Sequence, residues 1–204
     1  EPQAGQVRMQ VHCCAICRTD LHVIEGDLPP QRLPMIPGHQ IVGTVDALGP
    51  DCQRLQLGQR IGIAWLRQTC GHCVYCLSGR ENLCERARFT GYHEFGGYAE
   101  YAVVPEEFAY VIPEGFDDRQ AAPLLCAGII GYRALQRSRL PPGGRLALYG
   151  FGSSAHVVLP IAQHRGAEVY VVTRGQRHQE LARQMGAVWV GSRAEELPVN
   201  VDSA

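Results

Sequence analysis

The sequence predicts a β-rich unit followed by a parallel, doubly wound α/β unit, and three observations carry that prediction. Short runs of alternating apolar residues, separated by Gly and Pro, occupy residues 1–113. Beyond Pro141-Pro142-Gly143-Gly144, strand-like and helix-like segments alternate. The first of those strands runs into Gly150-Phe151-Gly152-Ser153-Ser154-Ala155, a glycine turn of the type that opens a dinucleotide-binding βαβ unit.

From Val7 to Cys13 apolar residues alternate with Arg8, Gln10 and His12, the period of two of a half-buried strand. Ile41–Leu48, Arg60–Trp65, Tyr98–Val104 and Phe108–Ile112 read as further strands. Pro29-Pro30, Pro34, Pro37-Gly38, Gly49-Pro50 and Gly96-Gly97 mark the turns between them. Strands this short, so punctuated, make a small barrel or sandwich. The texture changes at Asp117: residues 117–139 are helix-like, divided by Pro123 and Gly128. A strand (Arg145–Tyr149), a helix (Ser153–His164), a strand (Glu168–Thr173), a helix (Gln176–Met185) and a strand (Ala187–Val190) follow. That alternation requires parallel pairing with crossover helices. The expected division is 1–140 and 141–204.

Net charge is −1 with no long run of one sign, which leaves no basic footprint for nucleic acid and no basic membrane face. No apolar stretch approaches the roughly 18 residues that a membrane helix needs. Nine cysteines without a signal-like segment fit a reducing, cytoplasmic setting. Glu1 in place of Met, and last residues (VNVDSA) that follow an unfinished helix–strand pattern, read as part of a longer chain.

Four of the cysteines stand as C-x2-C-x2-C-x7-C: Cys70, Cys73, Cys76 and Cys84, with Gly71, Ser78 and Gly79 between them. Short knuckles of this kind bring four sulfurs around one tetrahedral Zn²⁺. Such a closed site, a lobe over about residues 68–86, is structural. Any catalysis has to come from elsewhere.

In the glycine turn, Gly150 makes the tight bend, Gly152 admits a pyrophosphate, and the small Ala155 lets helix and strand pack closely. The helix amino terminus then faces the phosphates. The second strand of the unit ends in Thr173-Arg174, with Arg177 close behind and no acid for a ribose 2′-hydroxyl. That ending tilts the expected cofactor from NAD towards NADP. Arg174 as a solvated surface charge, with NAD held through Thr173 and backbone, is the competing reading.

The segments CRTDLHVIEGDLP, PGHQIVGTVDALG, the four-cysteine lobe, LLCAGIIGY and YGFGSSAHVV occur in this order. Together they resemble the zinc-dependent alcohol dehydrogenases of the medium-chain dehydrogenase/reductase superfamily. The resemblance implies a GroES-like β-barrel domain followed by an incomplete Rossmann sheet, two Zn²⁺ ions and NAD(P). It implies a catalytic zinc on Cys17, His39 and Cys126, the two-Cys, one-His set known for this family. Asp20 would bond the far nitrogen of His39. Thr19 would take the proton of the substrate hydroxyl, and His22 would pass it on by way of the cofactor ribose. Arg18 would contact the pyrophosphate, and Trp65 would lie against the substrate. Gln40 stands where the family usually has Glu, and Ile130 where many relatives place Thr. Leu28 is smaller than its counterpart in some ethanol-preferring relatives, so alcohols larger than ethanol are expected. The implied activity interconverts small alcohols and aldehydes or ketones, in a homodimer or homotetramer. A polyol or secondary-alcohol dehydrogenase of the same superfamily, or a non-catalytic zinc-binding fragment, are the alternatives.

Overall fold

In the computed structural model, which describes all of residues 1–204, the alternation beginning at Val7 becomes strand β1 (Gln6–Cys14). Val7 and Met9 point inward and are fully buried, while Arg8 and Gln10 point out. After helix α1 (Arg18–Glu25), β1 pairs antiparallel with β2 (Ile41–Leu48), whose bounds match the expectation. The chain continues through β3 (Arg60–Ile63), β4 (Leu66–Gln68), helix α2 (Val74–Leu77), β5 (Arg88–Phe89), β6 (Tyr101–Pro105) and β7 (Ala109–Val111). Five strands form a curled antiparallel sheet in the order β6-β1-β2-β3-β7, and β4 pairs with β5 in a small ribbon. The core of the sheet is Val7, Met9, Ile41, Val45, Ile61, Ile63 and Val104.

Two strand bounds differ from expectation for a visible reason. Residues 96–98 do not extend β6. The Gly96 and Tyr98 N–H groups donate instead to the carbonyls of Ile36 and Pro37, at 2.7 and 3.1 Å. A Cβ on Gly96 would lie 2.1 Å from the Gly38 carbonyl oxygen, so only glycine allows this approach. The predicted strand Arg60–Trp65 stops at Ile63. The chain bends at Ala64 and Trp65, whose carbonyls accept hydrogen bonds from Thr90 Oγ1 (2.8 Å) and Thr90 N–H (3.0 Å).

Helix α3 (Asp118–Ala121) opens on a capping box of Asp117 and Gln120 and runs into a 3₁₀ segment (Ala122–Leu125) that ends at Cys126. Pro123 divides the helix as expected, but Gly128 lies inside helix α4 (Ala127–Arg137). Ala121, Ala122 and Leu125 form a second small core with Val42 and Ala64.

The chain separates into residues 1–126 and 127–204, earlier than the expected 140/141. The physical reason is α4. Its Gly131 lies so close to helix α5 (Ser153–His164) that a Cβ there would stand 2.9 Å from the Ser154 carbonyl oxygen. In this second unit β8 (Arg145–Tyr149), β9 (Glu168–Val172) and β10 (Trp189–Gly191) are parallel, in the order β10-β9-β8, with helix α6 (Gln176–Gln184) before β10. Ser203 bridges in parallel to Leu146, on the flank of β8 away from β9. The three-strand order, with the Ser203 bridge on the far flank of β8, matches the first part of a Rossmann sheet. No helix is long and apolar enough to cross a membrane.

Candidate metal centres and cofactor turn

Three ligand atoms, from Cys17, His39 and Cys126, lie within 4.8 Å of one another. No fourth Cys, His, Asp or Glu joins them. Each comes from the end of an element. Cys17 is the N-cap of α1 and extended (φ −125°, ψ 159°). His39 directly precedes β2, and Cys126 closes the 3₁₀ segment. At the ends of elements the side chains are free to converge while the elements hold the backbone.

Asp20 ties the first two ligands together. It is 2% exposed. Its Oδ2 accepts from the Cys17 N–H at 2.8 Å. Its Oδ1 accepts from the Gly38 N–H at 3.1 Å and faces His39 Nδ1 at 2.9 Å. With Nδ1 engaged, Nε2 is the nitrogen of His39 free for a metal. Burial opposes ionisation of Asp20, but the bonds from His39 and the Cys17 N–H outweigh it and hold the carboxyl below its ordinary value. Gln40, also buried, donates Nε2–H to the Ala15 carbonyl at 3.2 Å. Its main-chain carbonyl in turn accepts the Ala15 N–H at 3.0 Å. Its amide therefore holds the backbone two residues before Cys17.

Burial also works against charge on His39, yet the Asp20 carboxylate and the Cys126 sulfur push its pKa up to about 10. The Cys17 thiol is opposed by burial but held below its ordinary value by the Thr19 N–H and hydroxyl and by His39. These directions set a pH dependence. A metal binds neutral imidazole, so each ion entering displaces the His39 proton below pH 10. Zinc affinity at this site is expected to rise by about tenfold or more per pH unit between roughly pH 6 and 8, one decade for each displaced proton. Competition against a chelator across that range measures it. A flat profile would contradict the assigned proton.

Thr19 Oγ1 lies 3.8 Å from Cys17 Sγ. Arg18 stands exposed in the first turn of α1. One turn further on, His22 Nδ1 is 2.7 Å from Asp27 Oδ2. Sequence reasoning missed Asp27. Gly26 ends α1 in the left-handed conformation (φ +80°) and folds the next residue back towards the helix. An acid just past a helix-ending glycine, five positions after a histidine, was the available signal. Leu28 is half-buried, with its N–H on the His22 carbonyl at 3.3 Å. Trp65 packs on the small core of Val42, Ala121 and Leu125, its ring 5.7 Å from that of Phe89. Its buried indole N–H has no hydrogen-bond partner.

The second sulfur cluster is complete. The ligand atoms of Cys70, Cys73, Cys76 and Cys84 lie within 4.8 Å of one another, and all four thiols are free. Cys73 and Cys76 sulfurs are 3.5 Å apart, and those of Cys70 and Cys76 3.9 Å. Backbone N–H groups aim at the cage: that of Cys73 donates to Cys70 Sγ at 3.3 Å, and that of Cys70 to Cys84 Sγ at 3.5 Å. The His72 and Cys73 N–H groups pull the Cys70 thiol down to about 6. The Cys76 N–H also favours a Cys73 thiolate, but loss of water and the neighbouring sulfurs push that thiol up to about 11. Four sulfurs this close together are the donor set that Zn²⁺ takes. His72 stays outside it, with Nδ1 2.6 Å from the Cys70 carbonyl oxygen.

In the second unit Gly150 is left-handed (φ +89°), and Gly152 caps α5. A Cβ on either would meet nothing within 4 Å, so both glycines border open space at the helix amino terminus. Phe151 turns the other way and is fully buried, while Ala155 packs on the same core. This open cradle suits a pyrophosphate. Thr173 is buried and Arg174 exposed after β9.

Comparisons with known proteins agree with this arrangement. The alcohol dehydrogenase GroES-like domain family matches residues 3–114. A probable alcohol dehydrogenase of Mycobacterium tuberculosis is 51% identical over 208 aligned positions, covering 100% of this chain and 60% of that protein. An alcohol dehydrogenase of Geobacillus stearothermophilus is 44% identical, covering 90% of this chain and 55% of that one. Among solved structures, CAD from Helicobacter pylori complexed with NADP(H) superposes with a TM-score of 0.90 at 26% identity. It covers 98% of this chain and 60% of its own. A cobalt- and zinc-bound thermostable alcohol dehydrogenase from Pyrobaculum aerophilum gives 0.85 at 29% identity, with 94% and 58% covered. The chain thus spans 55–60% of the length of these relatives. Matched over more than half its length by that domain family, the chain belongs to the zinc-dependent alcohol dehydrogenases of the medium-chain dehydrogenase/reductase superfamily.

Proposed function

We propose that this chain carries the catalytic metal site and the cofactor turn of an enzyme that interconverts small alcohols with aldehydes or ketones. The observation that supports it most is the trio of Cys17, His39 and Cys126, which no fourth Cys, His, Asp or Glu joins. A zinc there and a nicotinamide dinucleotide would supply the Lewis acid and the hydride acceptor. The chain's own residues do the rest. Asp20 fixes the tautomer of His39 and the position of Cys17. Thr19, beside Cys17, takes the proton of the substrate hydroxyl, and His22 hands it on, oriented by Asp27. Gln40 anchors the Ala15–Cys17 turn, and Leu28 and Trp65 shape the pocket for alcohols larger than ethanol. A second zinc in the four-cysteine lobe is structural.

The 2′-phosphate of NADP suits the Thr173-Arg174 ending, which offers a cation and no acid. The test is alcohol-dependent reduction of NADP⁺ and NAD⁺, with zinc measured on the same protein and with ethanol, butanol and benzyl alcohol compared. Two zincs, turnover and a preference for NADP⁺ are expected. Arg174→Ala should erode that preference by about tenfold, the worth of one charge-assisted bond to phosphate. A preference for polyols would favour the related enzyme class. Two zincs without turnover would mean a zinc-binding fragment.

A further inference from the structure

We infer that the cavity between β4 and β6 binds a small organic carboxylate, with Arg67 as its counter-ion. This cavity, about 600 Å³, belongs to neither metal site. Arg67 on β4 lines it and is only 7% exposed. A guanidinium has five N–H donors. Arg67 uses Nη1 on the Val103 carbonyl of the edge strand β6, and no other nitrogen of it makes a hydrogen bond. Those nitrogens are not sealed in protein. A buried cation left in this state is costly, and burial pushes its pKa down.

Glu94 partly offsets the burial of Arg67 through its charge, but neither acid of the same wall forms a salt bridge with it. Glu1 is paired with Arg8 at 3.0 Å. Glu94 has Arg88 on Oε1 at 2.6 Å and Arg32 on Oε2 at 3.2 Å. Both carboxylates have cations of their own in direct ion pairs, and Arg67 is the charge of this wall without one. The rest of the wall includes Ile36, Phe95 and Tyr101. A planar fork in a wall that mixes Ile36, Phe95 and Tyr101 with the amides of Gln3, Gln6 and Gln68 fits a monoanion with a small organic body. A phosphate dianion would meet one cation and two acids, which disfavours it. The volume lies in the range of small-molecule sites.

The test needs no variant to begin. Benzoate and its neutral isostere benzamide are titrated into the protein, and the Arg67 Nε–H signal is followed by NMR, with inorganic phosphate as a third probe. Saturable binding of benzoate, at least tenfold tighter than benzamide or phosphate, is expected. Arg67→Gln should abolish the difference, and Arg67→Lys, which keeps the charge without the fork, should weaken it. Equal binding of benzoate and benzamide overturns the inference. So does no binding at all, or benzoate binding that survives in folded Arg67→Gln. None of these readouts depends on alcohol turnover.

Discussion

Cys126→Ser is expected to leave one zinc per chain in place of the two proposed for the unmodified protein. It should also lower alcohol-dependent kcat/KM by at least about a thousandfold. The magnitude follows from what the metal supplies. Polarising a substrate oxygen contributes several kcal/mol, and a loss of about 4 kcal/mol is a factor of roughly a thousand. Cys126 is the informative ligand to change. Removing His39 would strip Asp20, 2% exposed, of its ring partner and leave a buried carboxylate short of a bond. Removing Cys17 would disturb the cap of α1. Cys126 ends a short 3₁₀ segment held by Ala121, Ala122 and Leu125, so Ser replaces it without opening the core. The four-cysteine lobe lies on a separate loop and should keep its ion, which serves as the internal control. Two zincs in the variant, with turnover within tenfold of the parent, would sink the assignment of the trio.

How much of this was legible in the sequence depended on how local each signal is. β2 was read to the residue, because strand alternation needs only adjacent positions. The Gly150 turn and the four-cysteine lobe were read for the same reason: their chemistry fits inside a short window. The division of the chain was displaced because α4 joins the second unit through the Gly131–Ser154 approach, which no window contains. Helix α1 has eight residues and a cysteine at its cap, so neither length nor a Ser, Thr or Asp signal marked it. The trio of Cys17, His39 and Cys126 came from family resemblance and not from spacing. Their convergence is made by a carboxylate and a satellite core that pattern alone does not display. Asp27 had only the helix-ending Gly26 before it as a signal, and the Gln40–Ala15 pair had none, because each depends on a chain reversal, at Gly26 and before β2.

Zinc removal from the lobe should show how little else holds it. Residues 68–86 contain one four-residue helix and one three-residue 3₁₀ turn, both shorter than can persist alone in water. Of the four cysteines only Cys84 is buried, and Val74 and Leu77 are exposed, so the segment has no core of its own. A zinc held there would then supply the folding energy of the lobe, as in small zinc domains, where binding supplies about 10–16 kcal/mol. Cys84→Ser is therefore expected to release that zinc and to abolish amide protection across the lobe, while β1, β2 and β3 stay protected. If about 3 kcal/mol of the loss reaches global stability, the melting temperature falls by roughly 6–12 °C for a chain of this size. The trio site should keep its ion, because none of its ligands lies in the lobe. Hydrogen exchange with metal analysis separates the outcomes. A lobe that stays protected after losing its zinc would mean that its packing, and not the four sulfurs, determines its fold.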